Sequence, residues 1–283
     1  MRLKDKLASR LDPRIALFWD NLSEIRVRAG KPDRYRLLNG SEIQGPVRDH
    51  ASLKNLAQML MEDSVYACED ELREGYFTAA EGCRVGVSGK MSVSGGRILN
   101  MSAVGSLCIR IPREIKGCAR ELLPHIHGNL LILSPPGLGK TTLLRDLARM
   151  ASESGLNVAV ADERGELAAC REGVPSLDLG TRTDVMDGCP KSLAIPMLIR
   201  SCAPDLIIAD EIGGADDARA LREAAYSGVC IAASAHAGSI EDAFLRGELH
   251  SLLKENLFKT IVLLGGAPGR IVQIKKMIHE VEV

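Results

Sequence analysis

The sequence predicts an α/β protein in which a smaller α+β domain precedes a larger domain built on a mostly parallel sheet. Three observations lead to this class. Short, largely apolar runs, each the length of a buried strand, recur at residues 130–133, 156–161, 206–209 and 230–233. Segments with helical spacing separate these runs, as in sheets of parallel strands joined by helices. Before residue 125, by contrast, the strand-like segments alternate polar and apolar residues.

The N-terminal domain is predicted to span residues 1–125. The spacing of apolar residues and the period-two alternation predict its elements: helices at 1–18 (interrupted by Pro13), 52–61 and 66–76, paired strands at 24–28 and 34–38, and two or three strands within 83–111. Residues 112–128 have the Pro and Gly punctuation of a connection. The composition of this domain does not indicate a catalytic centre.

The second domain, predicted at residues 126–283, opens with LLILSPPGLGKTTLLRDL at residues 130–147. Four apolar residues lead into a Pro/Gly turn, and a segment with helical spacing follows. Strand, glycine-containing loop, Lys-Thr and helix form the arrangement of a P-loop, where backbone N–H groups and the helix N-terminus bind phosphates. The predicted ATP-binding residues are Ser134, Pro135, Pro136, Gly137, Leu138, Gly139, Lys140, Thr141 and Thr142.

Within the P-loop, Lys140 is expected to reach the β- and γ-phosphates and to act in catalysis, and the Thr141 hydroxyl is expected to ligate Mg²⁺. Ser134 stands where the usual pattern has its first glycine, whereas Gly137 and Gly139 remain. An ordinary strand–turn–helix unit with a chance Gly-Lys-Thr is the alternative. The flanking strand and helix favour the P-loop.

Polar residues directly follow the apolar runs of the second domain, and the runs at 260–264 and 271–274 extend the predicted sheet. Because open α/β sheets bind ligands at the carboxyl ends of their strands, these polar residues are expected to converge. Asp210 follows residues 206–209 and is the predicted second metal ligand, as in a Walker B strand. Glu211, beside it, is the first choice for the catalytic base.

Several roles stay open at this stage. Glu163 also follows an apolar run and competes with Glu211 as the base. His236 is placed to bind the γ-phosphate, although a histidine at a strand end is often structural. Arg182 and Arg200 are surface arginines by default, and either is a candidate to stabilise phosphoryl charge.

Composition restricts the function only weakly. The formal net charge is −1, with 20 Lys/Arg against 16 Asp/Glu through His125 and 16 against 21 in the remainder. Eight cysteines are scattered without a C-x-x-C pair, which is typical of buried thiols in a cytosolic protein. No apolar run approaches the ~18 residues of a membrane span, and the N-terminus lacks an apolar signal segment. A cytoplasmic protein without direct membrane insertion is therefore expected.

Read in order, the motifs of the second domain resemble the secretion-ATPase branch of the RecA-like ATPases. The segment VAVADERGEL resembles its acidic box, and the segment from PDLIIADEIGG to AASAHAG resembles its Walker B strand and His box. Two segments, SPPGLGKTTLLRDLAR and TRTDVMDGCPKSLAIPMLIRSCAPD, resemble more specifically the stage III sporulation protein AA family. EIRVRAGKP, YACEDELREGYFT, GCRVGVSGK and IRIPREIKG extend the resemblance into the first domain.

This resemblance implies a cytoplasmic ATPase in the mother cell of a spore-forming bacterium. It also implies that the protein energises a secretion-like channel complex that links mother cell and forespore. The resemblance further implies membrane contact only through channel partners, a homo-hexamer with ATP between subunits, and arginines such as Arg110 and Arg113 that approach a nucleotide in trans.

Two other functions remain as alternatives. RecA-like ATPases also drive nucleic-acid motors, but the sequence shows no cluster of aromatic and basic residues of the kind that binds single strands, so nucleic acid is not an expected partner. A nucleotide-binding structural module with little turnover is the second alternative. The presence of Lys140, Thr141, Asp210 and Glu211 argues against it.

Overall fold

The chain folds into two compact units, Met1–Arg113 and Glu114–Val283. The computed structural model describes residues 3–61, 69–94, 97–112, 114–170 and 172–277. The first unit is α+β and the second is α/β, so the predicted fold class is confirmed.

The first unit is built on one six-stranded antiparallel sheet in the order β3-β2-β1-β6-β5-β4. Its elements are α1 Leu3–Arg10, α2 Ile15–Phe18, β1 Leu22–Arg28, β2 Pro32–Leu37, β3 Glu42–Val47, α3 His50–Leu60, α4 Glu69–Arg73, β4 Tyr76–Ala79, β5 Cys83–Ser94 and β6 Arg97–Arg110. The predicted pairing of the first two strands is confirmed, since Ile25 lies opposite Tyr35.

Two strands of this sheet were not predicted. β3 contains Gly45 and Pro46, residues that are depleted in strands and tolerated at a sheet edge, which is where β3 lies. β4, at the other edge, begins at Tyr76, where the predicted helix 66–76 was expected to end. The helical part of that segment is α4, and residues 66–68 lie outside the described residues.

One face of the six-stranded sheet carries the core of the first unit. Ile25, Val27, Tyr35, Val85 and Ile109 alternate along their strands with polar residues and are fully buried. They belong to one apolar cluster with leucines of α1 and α3. The alternating polar residues therefore point to the opposite face of the sheet.

The second unit is built on a seven-stranded sheet in the order β13-β12-β7-β11-β10-β8-β9, parallel except for β13. Its strands are β7 Leu130–Ser134, β8 Val158–Asp162, β9 Thr183–Asp187, β10 Leu206–Ala209, β11 Cys230–His236, β12 Thr260–Leu264 and β13 Ile271–Lys276. Its α-helices among the described residues are α5 Lys140–Glu153, α6 Lys191–Cys202, α7 Ala215–Tyr226, α8 Ile240–Ala243 and α9 Gly247–Lys254.

Helices cover both faces of this sheet. On one face Leu130, Ile132 and Val160 form an apolar cluster with Leu143 and Leu147 of α5. On the other face Leu131 and Ile207 belong to a cluster with residues of α6, α7 and α9. Burial on both faces explains why the strands are continuous apolar runs. The unpredicted strand β9 reads TDVMD and is an edge strand with half-exposed residues, so it lacks that signal.

The division between the units lies before Glu114, earlier than the predicted boundary at residues 125/126. Residues 114–125 contain a short 3₁₀ helix whose Leu122 is buried in the core formed with α5. The backbone N–H of Ala119 also donates to Asp146 on α5 at 2.9 Å. The segment expected to be a connection is therefore part of the second unit.

Candidate nucleotide-binding site

The P-loop connects β7 to α5 with the backbone that its glycines require. Gly137 and Gly139 have φ values of 77° and 85°, in the left-handed region that favours glycine. Ser134, by contrast, is the last residue of β7 and is fully buried. A side chain is accommodated there because the backbone is that of a strand, which explains how the chain departs from the usual pattern at Ser134.

A glycine-rich hairpin turn between β12 and β13 lies directly against the P-loop. The N–H of Gly269 donates to the carbonyl of Leu138 at 2.8 Å. A Cβ atom on Gly139 would lie 3.1 Å from the Gly269 nitrogen, which is a tight contact. Gly139 is therefore required both for its φ and for this close approach, and the hairpin turn supports the loop from one side. Pro135 and Pro136 are exposed on the turn.

The Lys140 side chain is directed into the site and is buried, with 5% of the residue exposed. Its Nζ lies 3.3 Å from Ser134 Oγ and 2.9 Å from His236 Nδ1. Burial lowers the pKa of Lys140 from its ordinary value, and the charges of Asp210 and Glu211 partly offset this effect. A partly desolvated ammonium beside the P-loop is well placed to bind a phosphate.

The two predicted metal ligands are in contact. Thr141 Oγ1 donates to Asp210 Oδ2 at 2.5 Å, and Ser234 Oγ donates to the other carboxylate oxygen. A hydroxyl and a carboxylate are the hard oxygen donors that Mg²⁺ takes, usually together with substrate phosphates and water. Among the described residues no three His, Cys, Asp or Glu side chains cluster around a common point.

Glu211 has the backbone strain that is common at functional sites. Its φ is 49°, although it is neither Gly nor Asn. Its N–H donates to Asp210 Oδ1 at 2.9 Å and to Ser234 Oγ at 3.1 Å. These bonds, with Ile212 N donating to the Ser234 carbonyl at 2.8 Å, hold the turn and direct the Glu211 side chain toward His236.

A hydrogen-bonded chain runs from the P-loop lysine to Glu211. His236 Nε2 lies 2.9 Å from Glu211 Oε1, while Nδ1 faces Lys140. Because an ammonium has donors only, Nδ1 must accept and Nε2 must carry the hydrogen. Burial raises the pKa of Glu211, but His236, Arg164 and Lys140 together outweigh it and place that pKa below its ordinary value. Glu211 is therefore ionised in this arrangement.

Glu163 lies outside the series of hydrogen bonds that joins Lys140, His236 and Glu211. Glu163 forms an ion pair with Lys191, the first residue of α6, whose side chain is 6% exposed. The same ammonium lies 3.9 Å from Asp217 on α7. Among the described residues no hydrogen bond joins Glu163 to Lys140, Asp210 or His236. Thr142, half-buried at the start of α5, likewise makes no hydrogen bond to these three groups within the described chain.

The candidate arginines Arg182 and Arg200 lie away from the site. Arg182 immediately precedes β9, which is parallel to β8, so it lies at the amino edge of the sheet, opposite the P-loop. α6 begins beside Glu163 and Arg200 is in its last turn, so Arg200 is directed to the same far edge. Arg164, by contrast, lies at the site and forms an ion pair with Glu211. Arg113 lies outside the described residues.

Sequence reasoning assigned no role to Ser234, Arg164, Lys191 or Asp162. Asp162 is 3% exposed and accepts hydrogen bonds from the backbone N–H groups of Glu166, Leu167 and Ala168 at 2.8–3.0 Å. Burial nevertheless raises its pKa. Its position directly after an apolar run could have indicated a site residue, but the neighbouring Glu163 was predicted as the site residue of this strand instead.

The carboxyl ends of four adjacent strands, β7, β11, β10 and β8, thus present the polar groups of the site in one row.

The profile of the family described as "Sporulation stage III, protein AA" matches residues 5–280. Stage III sporulation protein AA of Bacillus subtilis (strain 168) is 38% identical over 272 residues, which cover 90% of this chain and 87% of that protein.

Two solved structures show the same fold over most of the chain. The pilus retraction motor PilT with bound ADP aligns with a TM-score of 0.65 and 16% identity, covering 99% of this chain and 84% of PilT. The ATPase DotB of Legionella pneumophila aligns with a TM-score of 0.59 and 16% identity, covering 89% and 74%. The chain shares its fold with these two proteins, and it belongs to the sporulation stage III protein AA family.

Proposed function

We propose that the chain is a Mg²⁺-dependent ATP hydrolase. The single observation that carries this proposal is the convergence of Lys140, Thr141, Asp210, Glu211 and His236 at one edge of the sheet. Each is the residue type that phosphoryl transfer requires: a cation for phosphates, oxygen ligands for Mg²⁺, and a carboxylate that orients water. The likeness to proteins named as an ATPase and as a motor with bound ADP supports the same proposal.

In this mechanism the P-loop N–H groups and Lys140 bind the phosphates of ATP. Thr141 and Asp210 would hold Mg²⁺, which when bound neutralises charge on the β- and γ-phosphate oxygens. Glu211 orients and polarises the attacking water and accepts its proton. Glu163, which Lys191 holds, is the alternative base.

The hydrogen bonds from Lys140 to His236 and from His236 to Glu211 link phosphate binding to the catalytic base, Glu211. A phosphate oxygen is a charged acceptor and competes well with an imidazole nitrogen for the Lys140 ammonium. When Lys140 turns to the phosphate, His236 loses the donor to Nδ1 but keeps its Nε2–H bond to Glu211. A nucleotide in the P-loop thereby removes one of the two contacts that hold the His236 ring, to which Glu211 remains hydrogen-bonded.

For the biological role, we propose that this hydrolysis energises a secretion-like channel complex between mother cell and forespore. The name of the Bacillus subtilis relative supports a role in stage III of sporulation. No helix in the described ranges has the length and apolar character of a membrane span. The proposal places the chain in the mother-cell cytoplasm, working as a homo-hexamer that reaches the membrane through the channel proteins.

ATP turnover in Mg²⁺ and in EDTA tests the hydrolase proposal, with Asp210→Asn as the informative variant. Asp205→Asn is the matched control, because Asp205 precedes the same strand, β10, at the opposite edge of the sheet and accepts a backbone N–H of Asn157. Turnover should require Mg²⁺ and should fall at least about 100-fold in Asp210→Asn but little in Asp205→Asn. Equal losses in both variants, or turnover in EDTA, would contradict the assignment.

A further inference from the structure

The loop that follows β8, residues 162–168, carries Arg164 beside the candidate site. The carboxylate oxygens of Asp162 accept backbone N–H groups of this loop, which fixes its turn. From the other side, Arg145 of α5 donates its Nε–H to the carbonyl of Leu167 at 2.7 Å. Arg145 is 7% exposed and lies near the start of α5, so the loop is tied to the helix that the P-loop opens. The backbone position of Arg164 is therefore fixed relative to the phosphate-binding residues.

The Arg164 side chain occupies the proposed base. Its Nη1 forms an ion pair with Oε2 of Glu211, while Oε1 of Glu211 is hydrogen-bonded to His236 at 2.9 Å. Both carboxylate oxygens thus have a partner, and a water that attacks a phosphate must donate to one of them. The Arg164 side chain is 63% exposed, and exposed ion pairs contribute little to stability. The contact with Arg164 is therefore the one that is easily exchanged.

Four side chains lie in series at the site, with a cation at each end. Each is in contact with the next, in the order Lys140, His236, Glu211 and Arg164. In the proposed mechanism the γ-phosphate lies within reach of Lys140, and the attacking water lies beside Glu211. The phosphate therefore enters between the two cations, next to a guanidinium whose backbone is already fixed.

The chemistry of the two possible partners favours transfer of Arg164 to the phosphate. A γ-phosphate carries more negative charge than a carboxylate, and a guanidinium binds phosphate with two parallel hydrogen bonds. During phosphoryl transfer, charge spreads over the oxygens of the transferred group, and an arginine from the same chain or from another stabilises it. Arg182 and Arg200 lie at the opposite edge of the sheet, whereas Arg164 lies where this charge develops.

We propose that Arg164 is a catalytic residue whose guanidinium leaves Glu211 and contacts the γ-phosphate when ATP binds. The exchange leaves Oε2 of Glu211 free to accept a hydrogen bond from the attacking water, and it places a positive charge beside the transferred phosphoryl group. ADP, which has no γ-phosphate, leaves the ion pair intact. This inference rests on the proposed ATP hydrolysis and adds to it the residue that distinguishes ATP from ADP within one chain.

Nucleotide affinity separates a contact with phosphate from an effect through Glu211. A non-hydrolysable imido analogue of ATP, and ADP, are each titrated with Mg²⁺ into the full-length Glu211→Gln and Arg164→Ala/Glu211→Gln proteins, in which the carboxylate is absent. Loss of Arg164 should weaken binding of the ATP analogue at least about tenfold, as for a hydrogen bond between charged groups, and leave ADP binding unchanged. Equal affinities of the two proteins for the ATP analogue would overturn the inference, and so would equal losses for the analogue and ADP.

Turnover provides the second readout. Arg164→Ala should lower kcat at least about 100-fold, and added guanidinium ion, at concentrations too low to unfold the protein, should restore part of this loss. Arg219→Ala is the matched control, because the Arg219 side chain is 67% exposed and pairs with Asp216 on α7 at 2.9 Å. The control should retain wild-type turnover. Both variants should retain the wild-type melting temperature, because both side chains are exposed.

The outcomes distinguish this inference from the hydrolase proposal. Unchanged or faster turnover in Arg164→Ala would overturn the inference and leave the hydrolase proposal in place, since Arg164 would then only restrain Glu211. A loss in Arg219→Ala equal to that in Arg164→Ala would also overturn it, because the effect would then be one of net charge. Wild-type protein without ATP turnover would overturn the hydrolase proposal, and the role of Arg164 with it.

Discussion

Replacement of Lys140 is the most direct test of the P-loop. In Lys140→Ala the ammonium that lies among Ser134 Oγ, the Ser134 carbonyl and His236 Nδ1 is removed. Loss of one preorganised donor to the charge that develops in a transition state costs about 10²–10³ in turnover. This corresponds to roughly 2.7–4 kcal/mol of activation free energy. We therefore expect turnover to fall at least about 100-fold.

Folding must be separated from chemistry, because Lys140 is 5% exposed and Ala leaves a cavity where its stem lay. Deletion of several buried methylenes destabilises a protein by about 2 kcal/mol or more. Lys140→Met retains most of the volume and removes a desolvated charge, so its free energy of unfolding should stay within about 1–2 kcal/mol of the wild type. Both variants should lose turnover, but only Lys140→Ala should lose substantial stability.

The assay combines initial rates of ATP hydrolysis at saturating Mg²⁺, titration with a fluorescent ADP analogue, and thermal unfolding of the nucleotide-free proteins. Nucleotide affinity should fall in both variants, because the charge-assisted hydrogen bond to the phosphates is absent. A folded Lys140→Met protein whose turnover remains within tenfold of the wild type would refute the assigned role of Lys140.

Three further outcomes are expected. Glu211→Gln should bind ATP but turn over at least about 100-fold more slowly, whereas Glu163→Gln should lose less; the reverse order in steady-state rates would make Glu163 the base. The depressed pKa of Glu211 means that its pairing stabilises the fold above the unfolded-state value and loses this effect as pH falls through the lower folded value. The difference in melting temperature between wild type and Glu211→Gln should therefore shrink on acidification, and a difference that grows would contradict the charge pairing. Finally, ATP added to the slow Glu211→Gln protein should increase the population of rings in light scattering and ADP should decrease it; a monomer at every ATP and protein concentration would exclude nucleotide-linked self-assembly.

The sequence by itself determined the fold class and most of the P-loop unit. Buried parallel strands such as β7 and β10 must be continuous apolar runs, since helices cover both faces of the sheet. Such runs can therefore be recognised in the sequence alone. Loop glycines with positive φ and the Lys-Thr pair that opens α5 are likewise local features. The edge strands β3 and β9 were missed because half-exposed residues carry no such pattern.

Only the tertiary structure decided which polar residues meet. Asp210, Glu211 and His236 approach the P-loop because β10 and β11 lie beside β7 and β8 in the sheet, an order that the chain does not follow. The same strand order brings Glu163 into an ion pair with Lys191 and Arg164 into an ion pair with Glu211. Local sequence specifies the conformation of each segment, whereas the meeting of distant segments depends on how the strands pair. That pairing determined which residues form the candidate site.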